Sequence, residues 1–245
     1  MPNKSRLPLE IQQTYYTETA NRYDTMHACE GATDPGTSRL VQGFIRMFQI
    51  HSVLDVGTAT GLGMRQLKEA VPDLFVCGVE PVSALIEQGI QQGTASAISF
   101  VRASGDALPF PDASFDAVCE FAVLHHAQNP SAVVKEMLRV ARRAVFICDS
   151  NRFGQGSRVA RLAKLALYKT RLWNPYTYLR TRGKGYTITE GDGLAYSYSV
   201  YDSFDLVARW ADRVILVPSE AKGKANSWFH PLLNSAGVLM CAIKD

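Results

Sequence analysis

Four carboxylates stand at or just past the ends of apolar runs: Asp55 in VLDVGTATGLG, Glu80 in LFVCGVEP, Asp106 in GDALPFPDASFDAV and Asp149 in VFICDS. The first of these stretches begins as a nucleotide-binding turn does, with an apolar run breaking into glycines ahead of a helical pattern. Its glycines are out of dinucleotide phase, because counting from Gly57 the third position is Ala59 and the sixth is Leu62. A pyrophosphate binds the unpaired N–H groups of a helix start, and the third glycine of that fingerprint lets helix and strand pack closely. With Leu62 in that place and Asp55 beside the loop, the turn repels phosphate and suits a ligand with a positive amino group. Glu80 can accept both hydroxyls of a ribose. Asp106, at the mouth of the sheet, can accept from an exocyclic adenine amine. S-adenosylmethionine (SAM) meets all three conditions: it has no phosphate and carries an ammonium and a sulfonium.

A second group of reactive residues follows in EFAVLHHAQNP. His125 or His126 could act as a general base, or either could be a structural histidine bonding a neighbouring loop. His230 in SWFHPLL is a further candidate on the same terms. Asp149 faces the same cleft, since ligands of open α/β sheets bind at the carboxyl ends of the strands. Methyl transfer from a sulfonium is a direct displacement, so alignment alone supplies much of the rate and no base is mandatory.

Strand-like runs position these groups: 52–56, 74–79, 98–101, 115–121 and 144–149. They are continuously apolar, as strands buried on both faces are. Helical patterns over 62–70, 82–92 and 130–140 alternate with them, which implies a parallel sheet with right-handed crossovers. After Asp149 the rhythm breaks and resumes with a helix near 203–211, then RVILVP and GVLMCAI. The expected layout is a region before residue 38, a core over 38–150, a basic and aromatic insertion over 151–200, and a returning helix with two strands over 201–245.

At this point the sequence resembles the class I SAM-dependent methyltransferases, specifically the ubiquinone/menaquinone-biosynthesis-like group. The resemblance covers roughly residues 15–150 and rests on VLDVGTATG, GVEP, GDALPFPDASFDAV and the LHH–NP–KEMLRVAR run. It implies a doubly wound, Rossmann-like α/β fold with a mostly parallel seven-stranded sheet whose last strand is antiparallel. It also implies that Asp55, Gly57, Thr58 and Gly61 hold the methionine end of the cofactor, and that Glu80 and Pro81 frame the ribose. Asp106 and Ala107 would meet the adenine, and Glu120 and Phe121 would lie beside the sulfonium. The N-terminal YYTETANRYD resembles the family's lid helix, with Tyr16, Ala20 and Tyr23 on one helical face. The departure is Ala59 at a usual glycine, tolerable if its φ is negative. The product implied is S-adenosylhomocysteine.

Charge distribution bears on the acceptor. Nine Lys and Arg and no Asp or Glu lie between Arg152 and Lys184, which leaves the rest of a chain of net charge +3 at −6. On a helical wheel, Val159, Leu162, Ala163, Ala166 and Leu167 fall on one side, with Arg158, Arg161, Lys164, Lys169 and Arg171 around the other. Such a helix either packs its apolar side on the core or lies on an anionic lipid surface and collects phosphates. Tyr176, Tyr178, Tyr186, Tyr196 and Tyr198 would enclose the acceptor. The expected acceptor is therefore small or lipid-linked and anionic, with peripheral membrane contact and with nucleic acid less favoured. An RNA methyltransferase is the rival enzyme, but EFAV stands where an N-P-P-Y-type tetrapeptide would follow the fourth strand. A catalytically silent SAM-binding partner is the rival outside enzymes; it would bind SAM and release no S-adenosylhomocysteine.

Five cysteines lie far apart and form no C-x-x-C pair, which reads as reduced, buried thiols and a cytoplasmic protein. The five histidines show no metal-ligand spacing, so no metal is expected. No apolar run reaches the ~20 residues of a bilayer span, and the N-terminus has no signal core.

Overall fold

The computed structural model describes residues 7–28, 34–219 and 231–245; His230 lies outside them. Strands β1 (Ser52–Val56), β2 (Phe75–Val79), β3 (Ser99–Val101), β4 (Phe115–Phe121) and β5 (Ala141–Ser150) alternate with helices α4 (Leu62–Ala70), α5 (Ser83–Gln91) and α6 (Pro130–Val140). Three helices precede them: α1 (Pro8–Thr19), α2 (Tyr23–Met26) and α3 (Pro35–Met47). After β5 come α7 (Arg158–Lys169), α8 (Trp173–Arg180), β6 (Tyr186–Thr189), β7 (Gly193–Tyr196), α9 (Phe204–Trp210), β8 (Arg213–Pro218), α10 (Pro231–Asn234) and β9 (Gly237–Ile243).

The main sheet has seven strands in the order β3-β2-β1-β4-β5-β9-β8. Strands β1 to β5 are mutually parallel, and β9 runs antiparallel to both β5 and β8. This is the sheet the resemblance implied. Burial explains the continuous apolar runs. On one face Val134 and Met137 of α6 and Val207 of α9 pack on Leu54, Val118 and Val145. On the other, Val41 and Ile45 of α3 and Met64 and Leu67 of α4 pack on Val53, Ala117 and Phe146. Truncating a fully buried residue such as Met137 to Ala costs about 2–5 kcal/mol. Helix starts follow local chemistry: Pro130 occupies the first turn of α6, and Asn129 accepts from the Ala132 N–H at 3.2 Å.

The chain leaves this core at the end of β5 and returns through a 3₁₀ turn, Val200–Ser203, into α9. Between them stand α7, α8 and an antiparallel hairpin, β6–β7. The aromatic and glycine-rich stretch gave no strand expectation, yet TITEGDGLAY makes a short hairpin turning through Glu190, Gly191 and Asp192. Gly193 closes the turn with φ +67, and a Cβ there would meet Tyr15 Cδ1 at 2.7 Å. Helix α7 corrects the helical wheel. Val159, Leu162, Ala163 and Ala166 are exposed, whereas Arg161, Lys164 and Leu165 are half-buried. Most of the expected apolar side faces outward, with Leu167 half-buried, because α7 turns Arg161 and Lys164 inward and leaves Arg158 and Lys169 exposed.

Candidate active site

The cofactor side forms where β1, β2 and β4 end. Gly57 and Thr58 turn back so that both N–H groups donate to Val79 O, at 2.8 and 3.0 Å. Gly61, in the left-handed region at φ +74, then starts α4. Ala59 also adopts a left-handed conformation, φ +51. The condition of a negative φ is therefore not met, because the loop must reverse between Thr58 and Gly61 whatever residue sits there. Ala122, in the same cleft, is left-handed as well (φ 60). Such conformations cost non-glycine residues about 1–2 kcal/mol and collect at functional sites.

A cleft of about 240 Å³ opens at these ends, lined by Asp55, Gly57, Thr58, Glu80, Pro81 and Phe121, with Tyr16 and Tyr23 across it. Asp24 and Asp192 also reach it, and among the described residues no Lys or Arg does. Asp55 and Glu80, both buried with no ion-pair partner among the described residues, suit a cationic ligand and reject a pyrophosphate. Burial pushes the Asp55 carboxyl up to about 6, against hydrogen bonds from Thr58 and Cys119. Burial likewise pushes Glu80 up to about 7, although its oxygens accept from the Val82 N–H at 2.9 Å and the Ala59 N–H at 3.1 Å. A carboxylate has about four acceptor positions, so Glu80 retains capacity for a ribose diol. Tyr16 and Tyr23 meet edge to face at 5.8 Å and pack with Ala20, Ala59 and Leu85. The N-terminal aromatic face therefore closes the cleft.

Other expected cofactor residues stand apart. Glu120 is fully buried beneath the cleft, accepting from the Val123 N–H at 3.0 Å, and only Phe121 beside it reaches the lining. Strand alternation forces this, since neighbours point to opposite faces. The lining reaches Ser104 and Gly105 and stops before Asp106 and Ala107, both exposed. Asp106 accepts from Ser104 Oγ at 2.5 Å. Gly61 shapes the loop without lining the cleft.

The second cleft lies on the other side of the β6–β7 hairpin. Its walls include Arg152, Lys164, Arg180, Tyr186, Tyr196 and Tyr198. It continues into a larger groove of about 940 Å³ that adds Lys169, Arg171 and Tyr178. Arg152 is buried, paired with Asp202 and stacked on Trp173 at 5.0 Å, so it anchors the segment. Burial, and then the neighbouring Arg180, Arg152 and Arg161, hold Lys164 below the ordinary ammonium range. Arg158 and Arg161 do not line either cleft. Arg161 turns back to donate to Gly156 O at 2.9 Å and to Asn234 Oδ1 at 3.3 Å.

Between the clefts sits a cluster that sequence spacing did not assemble. The short 3₁₀ turn Leu124–His126 after β4 presents both histidines. His125 Nδ1 lies 2.8 Å from Asp149 Oδ1, and its Nε2 lies 3.4 Å from Asp192 Oδ2. His126 Nε2 lies 3.3 Å from Asp192 Oδ1, and its Nδ1 lies 2.7 Å from Leu194 O. Burial works against charge on His125, but Asp149 and Asp192 outweigh it and hold the imidazole well above its usual range. Burial opposes the charge of Asp192 too, and the two histidines win, holding it far below the usual carboxylate range. Asp192 lines both clefts, His126 the first and His125 the second. Gln12 ties α1 to this point: its Oε1 accepts from the Leu194 N–H at 2.6 Å, and its Nε2 lies 3.0 Å from His126 Nδ1. Gln12 and Asp192 were missed from sequence. The EGDG turn was the available signal for Asp192, and nothing local marks Gln12.

Residues 54–148 match the model of the Methyltransferase domain family. That match, the sheet order and the all-acidic cleft define a class I SAM-dependent methyltransferase domain, whose cofactor is SAM. Within the class, the curated relatives it is similar to include demethylmenaquinone methyltransferases. The chain is 30% identical over 146 residues to the demethylmenaquinone methyltransferase of Roseiflexus castenholzii, covering 57% of this chain and 61% of that protein. It is 33% identical over 132 residues to that of Deinococcus radiodurans, covering 52% and 54%. The matches thus span little more than half the length of these relatives. A SAM-dependent methyltransferase structure from Thermotoga maritima shares the fold over 95% of this chain and 99% of its own, with TM-score 0.58 at 16% identity.

Proposed function

We propose that the protein transfers the methyl group of SAM to a small or lipid-linked acceptor bearing an anionic oxygen. The observation that carries this reading is Asp192, the one carboxylate of the cluster that lines both an acidic cleft and a cationic one. When bound, SAM supplies an electrophilic methyl on a sulfonium. Asp55 takes its ammonium and Glu80 its ribose hydroxyls, while Tyr16, Tyr23 and Phe121 exclude water around the sulfonium. Lys164 and Arg180 draw the acceptor's anionic group into the second cleft, and Tyr186, Tyr196 and Tyr198 enclose it. The acceptor atom that must align with the methyl then lies beside His125, His126 and Asp192. That cluster, braced by Asp149, stabilises the acceptor oxygen as His126 takes its proton.

Demethylmenaquinone, the acceptor named for the two relatives, is lipid-linked, and a ring hydroxyl of its reduced form becomes an anionic oxygen once it loses its proton. Val159, Leu162, Leu172 and Leu179 are exposed beside the cations of α7 and α8, a surface suited to receiving such an acceptor from an anionic bilayer. No helix among the described residues is long and apolar enough to cross one.

The test is S-adenosylhomocysteine release with a reduced demethylmenaquinone analogue, presented free, in neutral vesicles and in anionic vesicles. Turnover fastest on anionic vesicles supports the reading. SAM binding without release on any presentation would favour the silent binding protein, and turnover only on RNA would favour the RNA enzyme. Calorimetry should show SAM and S-adenosylhomocysteine binding where NAD does not.

A further inference from the structure

We propose that His125, His126 and Asp192 bind a divalent cation of the zinc class between the two clefts. The inference rests on the methyltransferase reading only for what the cation would meet, an oxygen of the acceptor. One ligand atom from each of the three residues falls within a 4.8 Å group. The two nitrogen-to-carboxylate distances are 3.4 and 3.3 Å. Charge-assisted hydrogen bonds close to about 2.7–2.9 Å. Two ligands each about 2.0–2.1 Å from a tetrahedral zinc stand about 3.3–3.4 Å apart. The spacing is that of ligands around an ion.

The surroundings orient the rings for this role. Asp149, fully buried, takes the Nδ1 side of His125 at 2.8 Å, and Leu194 O takes the Nδ1 side of His126 at 2.7 Å. With its Nδ1–H donated to Asp149, His125 points its Nε2 lone pair at Asp192; Leu194 O selects the same tautomer for His126, in competition with Gln12 Nε2, a donor 3.0 Å from that Nδ1. Metal-ligating histidines are commonly held in this way, by a carboxylate or backbone carbonyl on the far nitrogen. Without a cation those lone pairs would face a carboxylate, so positive charge must enter, as protons or as a metal. Two carboxylates, Asp149 and Asp192, match one divalent ion. The site keeps an open side, because Asp192 is partly exposed to the second cleft, where a fourth ligand can come from the acceptor.

One neighbour competes. Tyr16 Oη lies 3.0 Å from His126 Nε2 and can donate into the same lone pair. Removing it therefore separates a metal site from a hydrogen-bond cluster. The full-length protein would be stripped with chelator, titrated with Zn²⁺ against a chromophoric competitor, and loaded with Co²⁺ for its visible spectrum. We expect one ion per chain and the intense absorption of a four-coordinate cobalt site. Asp192→Ala should abolish both, Asp149→Asn should weaken zinc by about 10- to 100-fold, and Tyr16→Phe should hold zinc as tightly as the parent or more so. Circular dichroism and the thermal melt of Asp192→Ala report that the variant is folded. No zinc bound by a protein that still binds SAM would overturn the proposal, as would equal zinc affinity in Asp192→Ala or a weaker site in Tyr16→Phe. Zinc binding in a protein that fails to bind SAM would leave this site standing and remove the methyltransferase reading instead.

Discussion

The two clefts on either side of the β6–β7 hairpin are opposites in charge and in construction. The cofactor cleft is built at strand ends of the buried sheet, with Asp55 and Glu80 fixed by backbone pairing and no cation among its described lining. The cationic cleft is built from helices and a hairpin outside the sheet, lined by Lys164, Arg180 and several tyrosines. A buried carboxylate without a counter-cation is costly, so the first cleft is arranged for a ligand that brings positive charge. The second holds more positive charge than its own acids balance, and so awaits an anion. Opposite fields keep each ligand out of the other's site, and Asp192 marks where they meet.

Removing the acidic half of this contrast should produce the largest effect. Glu80→Ala deletes the ribose acceptor, costing about 1.5–3 kcal/mol of SAM binding, or about 10- to 150-fold in Kd by calorimetry. It also strands the buried Ala59 and Val82 N–H groups, each worth about 1–3 kcal/mol, so its melting temperature should fall as well. Its burial gives this side chain structural duty as well. Glu80→Gln, which keeps one acceptor oxygen, should melt closer to the parent.

Proton titration tests the same contrast reversibly. With Asp55 near 6 and Glu80 near 7 in the ligand-free protein, SAM affinity should fall as pH is lowered from 8 to 5. Binding near neutrality should release protons, read as a dependence of calorimetric enthalpy on the buffer. The linkage sign for stability is opposite. Folded-state values raised above ordinary carboxylates favour the protonated fold, so these two groups stabilise the ligand-free protein at low pH, and that contribution is lost as pH rises through about 6 to 7. Affinity independent of pH across this range would mean that Asp55 and Glu80 do not face the cofactor.

The basic half should respond more mildly. Lys164→Gln with Arg180→Gln should raise the acceptor's KM by about 3- to 10-fold and flatten its salt dependence, leaving the Kd for SAM unchanged. Arg158→Gln with Arg161→Gln should leave acceptor kinetics alone, because neither side chain lines a cleft. The reverse pattern would show that the outer surface of α7, and not the cleft, reads the acceptor. The smallest effect is expected at Ala59. Glycine there relieves a left-handed alanine and should raise stability by about 0.5–1 kcal/mol in denaturant unfolding, with little change in SAM affinity.

The sheet and the cofactor half of the site were legible because their signals are local. The runs at 52–56, 115–121 and 213–218 and the helix at 62–70 fall where the chain shows them, since a strand buried on both faces must be apolar throughout. Asp55 and Glu80 follow from their positions at strand ends. Where alternation of side chains decides, sequence position misled. Glu120 and Phe121 are neighbours, yet one lies beneath the cleft and the other in it. The wheel drawn for α7 failed because hydrophobicity was assumed to choose the packed face. That face is chosen instead by Lys164 Nζ donating to the carbonyls of Arg152 and Gln155, at 3.0 and 3.2 Å.

By itself, then, the sequence determined the fold class, the acidic strand ends that line the first cleft and the excess of positive charge between Arg152 and Lys184, each a property of residues close together in the chain. The tertiary structure decided the meeting of Gln12, His125, His126, Asp149 and Asp192. A hairpin turn brings Asp192 to the histidines, and α1 returns Gln12 from the N-terminal region to the same point. Contacts between such distant segments depend on how the elements pack on the sheet, and no periodicity in the chain encodes that.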